Sequence, residues 1–244
     1  MKRTITSLLL ILITCINVKA QFSDSVRNFV NFTGTGTFNR TGDGVTYLLN
    51  NGLKYSVRQK SFVMNSTSLW VYGNTPEKLT NNDFTTALDF NLYKTFPHFY
   101  YWGLVNFTSS FSLKINQQMQ TGLGIAYRFI DKERTMLSVS NGILFERSSI
   151  VNEISDNFEY QTFRNSLRVQ YRTKIKEIIT FNGSAFYQPS LSYFSDYIIT
   201  ANATLGFKIW KWLSLTTTCN FNKVTRTNRE NVIFTYGLVF ERYF

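Results

Sequence analysis

The chain has 244 residues, a formal charge of +11 and 17% aromatic residues, and its mean hydropathy is slightly negative. A bundle of membrane helices is excluded, because beyond the first residues nothing approaches the run of about 18 apolar residues that a spanning helix needs. Only three prolines occur, and no Gly/Ser tract or block of like charges divides the chain, so one domain is expected.

Residues 1–20 read as an export signal. Lys2 and Arg3 precede the apolar run Leu8 to Ile13, and Val18 and Ala20 suit cleavage before Gln21. Cys15, after Leu12-Ile13-Thr14, makes a lipoprotein signal the alternative, although Thr14 is large for the residue before a lipidated cysteine. Residues 21–244 then hold Cys219 alone, which allows no intramolecular disulfide and no cysteine metal set. They remain basic. For an exported chain that points to lipopolysaccharide phosphates or small anionic solutes, not to nucleic acid.

From there a period of two dominates. Strand 29–39 carries Asn31 and Thr33 on one face. Strand 44–58 sets Tyr47, Leu49 and Leu53 against Thr46, Asn50, Lys54 and Arg58. Strand 60–72 ends on Tyr72. Strand 83–95 sets Phe90 and Leu92 against Asp89 and Asn91, and strand 99–113 holds Trp102, Asn106 and Thr108. Strands 118–130 and 134–148 form a hairpin around Asp131 to Arg134. Its apolar face holds Leu123, Ile125, Tyr127, Phe129, Leu137, Val139, Ile143 and Phe145; Gly124, Arg128, Ser138, Gly142 and Glu146 take the other. Strand 158–173 opposes Leu167 and Val169 to Arg164, Arg168 and Arg172. Strands 176–188, 196–209, 212–225 and 230–244 complete the series, with Thr180, Asn182, Asn202, Lys208, Thr216, Thr218 and Asn220 on the polar face.

Twelve strands are expected, with ten or fourteen as alternatives. Most reach the ~9–11 residues that cross a bilayer at a tilt, whereas a soluble β-sandwich favours strands of about 5–6. With the N-terminus in the periplasm, the connections at 59–60, 96–98, 131–134, 173–176 and 210–211 are short and periplasmic. Those at 73–82, 149–157, 189–195 and 226–230 are longer and outside. The fold expected is an all-β, transmembrane, antiparallel up-and-down barrel that is monomeric and set in the outer membrane of a Gram-negative bacterium. Apolar faces then meet lipid and polar faces line the lumen. Tyr72, Trp102, Trp210, Trp212 and Tyr243 lie near strand ends, where aromatic girdles form. Trp102 and Trp210 nevertheless fall in inward register.

The expected lumen-lining charges are Lys54, Arg58, Lys114, Arg128, Glu146, Arg164, Arg168, Arg172 and Lys208. Arg164, Arg168 and Arg172 share a face at about 13 Å steps. Either they pair with Glu146 and fill the lumen, or they form an anion-attracting ladder along a solute path. No catalytic set, cofactor or metal is indicated. His98, beside Pro97, reads as a turn residue. Glu153, Asp156 and Glu159 read as a solvated loop. The Gly-x-Gly of "TGLGIAY" lacks a Walker lysine and reads as bending the wall or making room for the arginines. In "YGLVFERYF", Tyr236, Leu238, Phe240 and Phe244 share one face around Gly237, like the C-terminal signal presented to the barrel assembly machinery. Arg242 departs from that pattern.

The stretch from Gly122 to Arg147, with Gly122, Gly124, Tyr127, Arg128, Asp131, Gly142, Glu146 and Arg147, resembles the core of the salt-induced outer-membrane protein family, a domain-of-unknown-function family. "YGNT" at Tyr72 to Thr75 and the final "LVFERYF" resemble its early Gly-Asn motif and its last strand. The resemblance implies an outer-membrane barrel with no established reaction. Two functions are expected: a small pore or solute-permeation protein with a basic lumen, linked to envelope or osmotic stress, or a closed accessory barrel that binds an outer-membrane complex or lipopolysaccharide.

Overall fold

In the computed structural model, residues 28–42, 44–59, 61–93, 98–151 and 157–243 are described. The export signal at 1–20 and Phe244 lie outside them. Twelve strands follow in chain order: β1 (Asn28–Thr41), β2 (Gly44–Gln59), β3 (Phe62–Asn74), β4 (Leu79–Leu92), β5 (Phe99–Ser110), β6 (Ile115–Asp131), β7 (Thr135–Ile150), β8 (Phe158–Ile175), β9 (Ile179–Pro189), β10 (Tyr197–Trp210), β11 (Leu213–Val224) and β12 (Arg229–Tyr243). Each pairs antiparallel with its sequence neighbours, and β1 pairs with β12, so the sheet closes and leaves no free edge along most of its length.

The register explains which face meets which surroundings. Leu123 (73% exposed), Ile125, Phe129 and Ile143 project outward from the central hairpin. Phe32, Leu49, Leu53, Leu205 and Phe207 continue the apolar belt on other strands. Inside lie Thr, Asn, Ser and Gly. An exterior this apolar is stable against lipid, while polar side chains and backbone-paired strands satisfy the interior. The barrel is thus transmembrane and inverted relative to a globular core.

Both described ends of the chain lie at one rim, since Phe29 pairs with Tyr243. This is the terminal rim; the opposite one is the far rim. The expected contrast in loop length is weaker than the sequence suggested. Residues 79–82, read as loop, belong to β4, because Asn81 to Asp83 pair with Gly73 to Val71. The turn at the far rim shrinks to 75–78. The polar run Thr80-Asn81-Asn82-Asp83 had hidden the strand.

Trp210 illustrates a second departure. A register shift between Lys208 and Trp210 turns the indole outward. It stacks on Trp212 at 5.9 Å, which stacks on Phe240 at 5.9 Å. That row forms a girdle segment at the terminal rim. Trp102 stays inward, over the glycines of the central hairpin. A Cβ on Gly124 would come within 2.6 Å of its ring, and one on Gly142 would also overlap it. The glycines therefore make room for Trp102 and for the buried Leu144 rather than for the arginines.

Candidate functional site: the lumen

A cavity of about 790 Å³ runs along the lumen. Near the terminal rim it is lined by Lys174, Glu177 and Lys208, and near the far rim by Asp83, Leu113, Ile198 and Val224. An eight-strand barrel is filled by its side chains and a sixteen-strand one holds an open channel; twelve strands fall between.

The expected lumen charges separate into four groups. Lys54, Arg168, Arg172 and Lys208 line the cavity together, with Asp89 among them. Lys54 stands on β2 and Arg168 and Arg172 on β8, six strands apart around the closed ring, so they face one another across the bore. Asp89 lies within electrostatic reach of both Lys54 and Arg168. The Arg168 guanidinium lies over the Phe186 ring at 4.7 Å, a cation–π contact that fixes its plane.

Arg58 and Arg128 sit toward the terminal rim and do not line the cavity. Arg128 pairs with Asp131 at 3.1 Å and lies over the rings of Tyr93 and Tyr100 at 4.6 and 5.4 Å. It braces the start of the hairpin. Lys114 is not a strand residue. It ends the turn 111–114 with φ +56°, and the strand pattern had been extended too far to include it.

Glu146 and Arg164 face inward but are sealed, each with a fully buried side chain, so they do not line the open path. Arg164 Nε donates to Glu146 Oε2 at 2.7 Å, and its Nη2 donates to Glu146 and to Asp196 at 3.1 Å each. Nη1 donates to the carbonyls of Gln188 and Asp196 at 3.2 Å. Asp196 then receives Arg226, whose guanidinium covers the Tyr160 ring at 3.9 Å. Tyr160 and Gln120 each donate to Glu146 at 2.7 Å. Acid and base alternate along this chain of four, and every arm of Arg164 is satisfied. A buried ion pair is stable only under such full hydrogen bonding. Of the two readings of the arginine ladder, Arg164 takes the paired one, while Arg168 and Arg172 face the cavity.

Sequence reasoning missed Asp196 and Arg226. Arg226 lies in the connection 226–230, where no periodicity assigns a facing direction; Asp196 was read as the first residue of strand 196–209 but lies just before β10 (Tyr197–Trp210), and it was not singled out among the charges of the polar face. Asp196 comes inward because 190–196 folds back: Ser190 N donates to Asp196 O at 2.8 Å and Leu191 N to Phe163 O at 2.7 Å.

The far rim is also crossed by the turn 111–114. Asp83 accepts hydrogen bonds from Ser110 Oγ (2.7 Å), Ser112 N (2.9 Å) and Ser112 Oγ (2.8 Å), which tips the turn inward. Leu113 then packs with Ile115, Ile150, Ile198 and Val224 in a buried apolar cluster.

On the terminal strand, Tyr236, Leu238 and Phe240 project outward, as expected. Gly237 faces the other way, against Thr35. Elsewhere, His98 occupies a turn with φ +64°. Glu159 pairs with Arg147 at 3.6 Å, while Glu153 and Asp156 lie outside the described residues. Among the described residues no group of His, Cys, Asp and Glu is placed to hold a metal ion.

A closed twelve-strand antiparallel barrel with an apolar exterior and a cavity lined by polar and charged side chains belongs to the class of outer-membrane-type barrels. The chain belongs to the family described as "Protein of unknown function, DUF481", whose model matches residues 34–238. No curated protein matches it in sequence. Among solved structures, the NanC porin is similar with a TM-score of 0.55 at 10% identity, covering 87% of this chain and 98% of that one. A KdgM porin solved with disordered oligogalacturonate has a TM-score of 0.48 at 14% identity, covering 87% and 98%. An outer-membrane channel from Pseudomonas putida F1 has 0.49 at 10%, covering 93% and 100%. At these identities the likeness is one of fold.

Proposed function

We propose that the chain is a solute-permeation channel of the outer membrane of a Gram-negative bacterium, with a lumen that favours anions, and that it is not an enzyme. The observation that carries this reading is the cavity of about 790 Å³ along the bore, lined by Lys54, Arg168, Arg172 and Lys208. Positive charge in a confined bore lowers the electrostatic cost of anion entry and raises that of cations. The fold of the NanC porin, with a TM-score of 0.55, supports the same class. Export through a cleaved signal at 1–20, a periplasmic terminal rim, a monomeric state, contact with outer-membrane lipid and lipopolysaccharide, and recognition of Tyr236, Gly237, Leu238, Phe240 and Phe244 by the assembly machinery are parts of the proposal. So is membership of the salt-induced outer-membrane group, whose test is whether expression rises with external salt.

The far rim favours a second reading, a closed accessory barrel that binds a partner complex or lipopolysaccharide. Leu113 and its apolar neighbours narrow that mouth, and the Arg164 cluster fills the adjacent lumen. Reversal potential in a planar bilayer under a KCl gradient separates the two. Steady, anion-selective conductance supports the channel. A correctly folded but silent barrel supports the accessory role.

A further inference from the structure

We infer that Lys54, Arg168 and Arg172, gathered around Asp89 in the half of the lumen nearer the termini, form a binding site for small hydroxylated carboxylates. The inference rests on the channel reading for the supply of that solute, not for the binding itself.

The charge balance of the site is the first argument. Asp89 answers Lys54 and Arg168 electrostatically. Arg172 adds its charge to the same region, where it is felt at Lys54 as a like charge, and it has no carboxylate partner within 4 Å among the described residues. Three cations around one carboxylate leave positive charge to be met. Arg172 and Lys54 are exposed, and Arg168 and Asp89 partly so, all within the cavity. A solute in the bore reaches them without unfolding anything.

The second argument concerns which anion. Asp89 lies within electrostatic reach of Lys54 and Arg168 but forms no ion pair within 4 Å with them among the described residues, so both cations keep donors for an entering carboxylate. Guanidinium groups bind carboxylates through two parallel hydrogen bonds. The wall beside the site supplies the rest. Arg172 pairs in register with Asn182 and Asn182 with Thr204, and Thr180 lies on the same face. Amide and hydroxyl groups in that row solvate a polyol chain, whereas a simple halide uses none of them. Asp89 is the resident negative charge that an entering carboxylate meets beside these cations. By competing for Lys54 and Arg168 it keeps the solute from being trapped, as transport through a binding pore requires.

The test is titration calorimetry on the purified chain in detergent micelles at low salt, with gluconate as the probe and sorbitol and inorganic phosphate as comparators. Gluconate is expected to bind saturably, sorbitol not at all, and phosphate more weakly. Arg172→Gln is expected to weaken gluconate by about tenfold, the scale of one charge-assisted pair. Asp89→Asn is expected to strengthen it several-fold. Equal heats for gluconate and sorbitol, stronger phosphate binding, or indifference to both substitutions overturns the site. Binding without conductance leaves the site standing and removes the channel reading. Conductance without binding does the reverse.

Discussion

Asn231 Nδ2 donates to Ser112 Oγ at 2.8 Å, joining β12 to the turn after β5 across the barrel, between residues 119 apart in sequence. The bond holds that turn, and with it Leu113, over the far mouth. A single neutral hydrogen bond is worth about 0.5–1.5 kcal/mol, so Asn231→Ala should raise the open fraction by roughly two- to tenfold. Leu113→Ser should do more, because it also dissolves the apolar cluster. Both effects are read as open probability in single-channel records; unchanged gating in both variants removes the turn from the conducting path.

Arg164 should behave as a structural residue although it shares a strand face with Arg168 and Arg172. Removing one partner from a buried, fully bonded pair costs about 3–5 kcal/mol. Arg164→Gln should therefore lower stability by that order, measured by urea unfolding in micelles or lipid. Arg172→Gln, exposed in the lumen, should change it little. The opposite ranking would mean that the Glu146–Arg164–Asp196–Arg226 chain is not the internal brace of the far half.

The central hairpin should not tolerate side chains at its glycines. A Cβ on Gly124 would meet both the Asn141 carbonyl and the Trp102 ring, and one on Gly142 would meet the Leu123 carbonyl and the same ring. Overpacking costs about 1–3 kcal/mol or more. Because backbone as well as indole is in the way, Trp102→Ala should relieve Gly142→Val only in part. Refolding yield into lipid, followed by the mobility shift of the folded barrel, reads this. Full rescue would place the obstruction in the indole alone.

Cys219 lies between Ala203 and Phe234 in the ladders, on the outward register shared by exposed Leu215 and Phe234. It is expected to react with a lipid-soluble maleimide in bilayers and to resist a charged one. Rapid labelling by the charged reagent would put β11 in the opposite register.

Much of this was legible in sequence because a strand writes its environment with a period of two. Leu123, Ile125 and Ile143 against Gly124, Ser138 and Gly142 identify lipid and lumen faces directly, and the ladders preserve that alternation. The pattern fails where the ladder slips, as at Trp210, and where it is extrapolated past its end, as at Lys114. It is silent in connections, so Arg226 could not be placed, and it gives facing without distance, so Asp196 at the edge of strand 196–209 could not be joined to Arg164. Spacing alone put three arginines in one ladder. Only contact with Glu146 and Asp196 separates the sealed member from the two facing the cavity.

The alternation of acid and base around Arg164 has an electrical consequence. Four charges that cancel in pairs contribute little net field at the far rim, whereas Lys54, Arg168 and Arg172 concentrate positive potential in the half nearer the termini. A bore whose net charge differs between its two halves rectifies: at equal and opposite voltages an open barrel should pass unequal anion currents. The sense of that rectification would report which rim faces the electrode, and so how the protein is inserted.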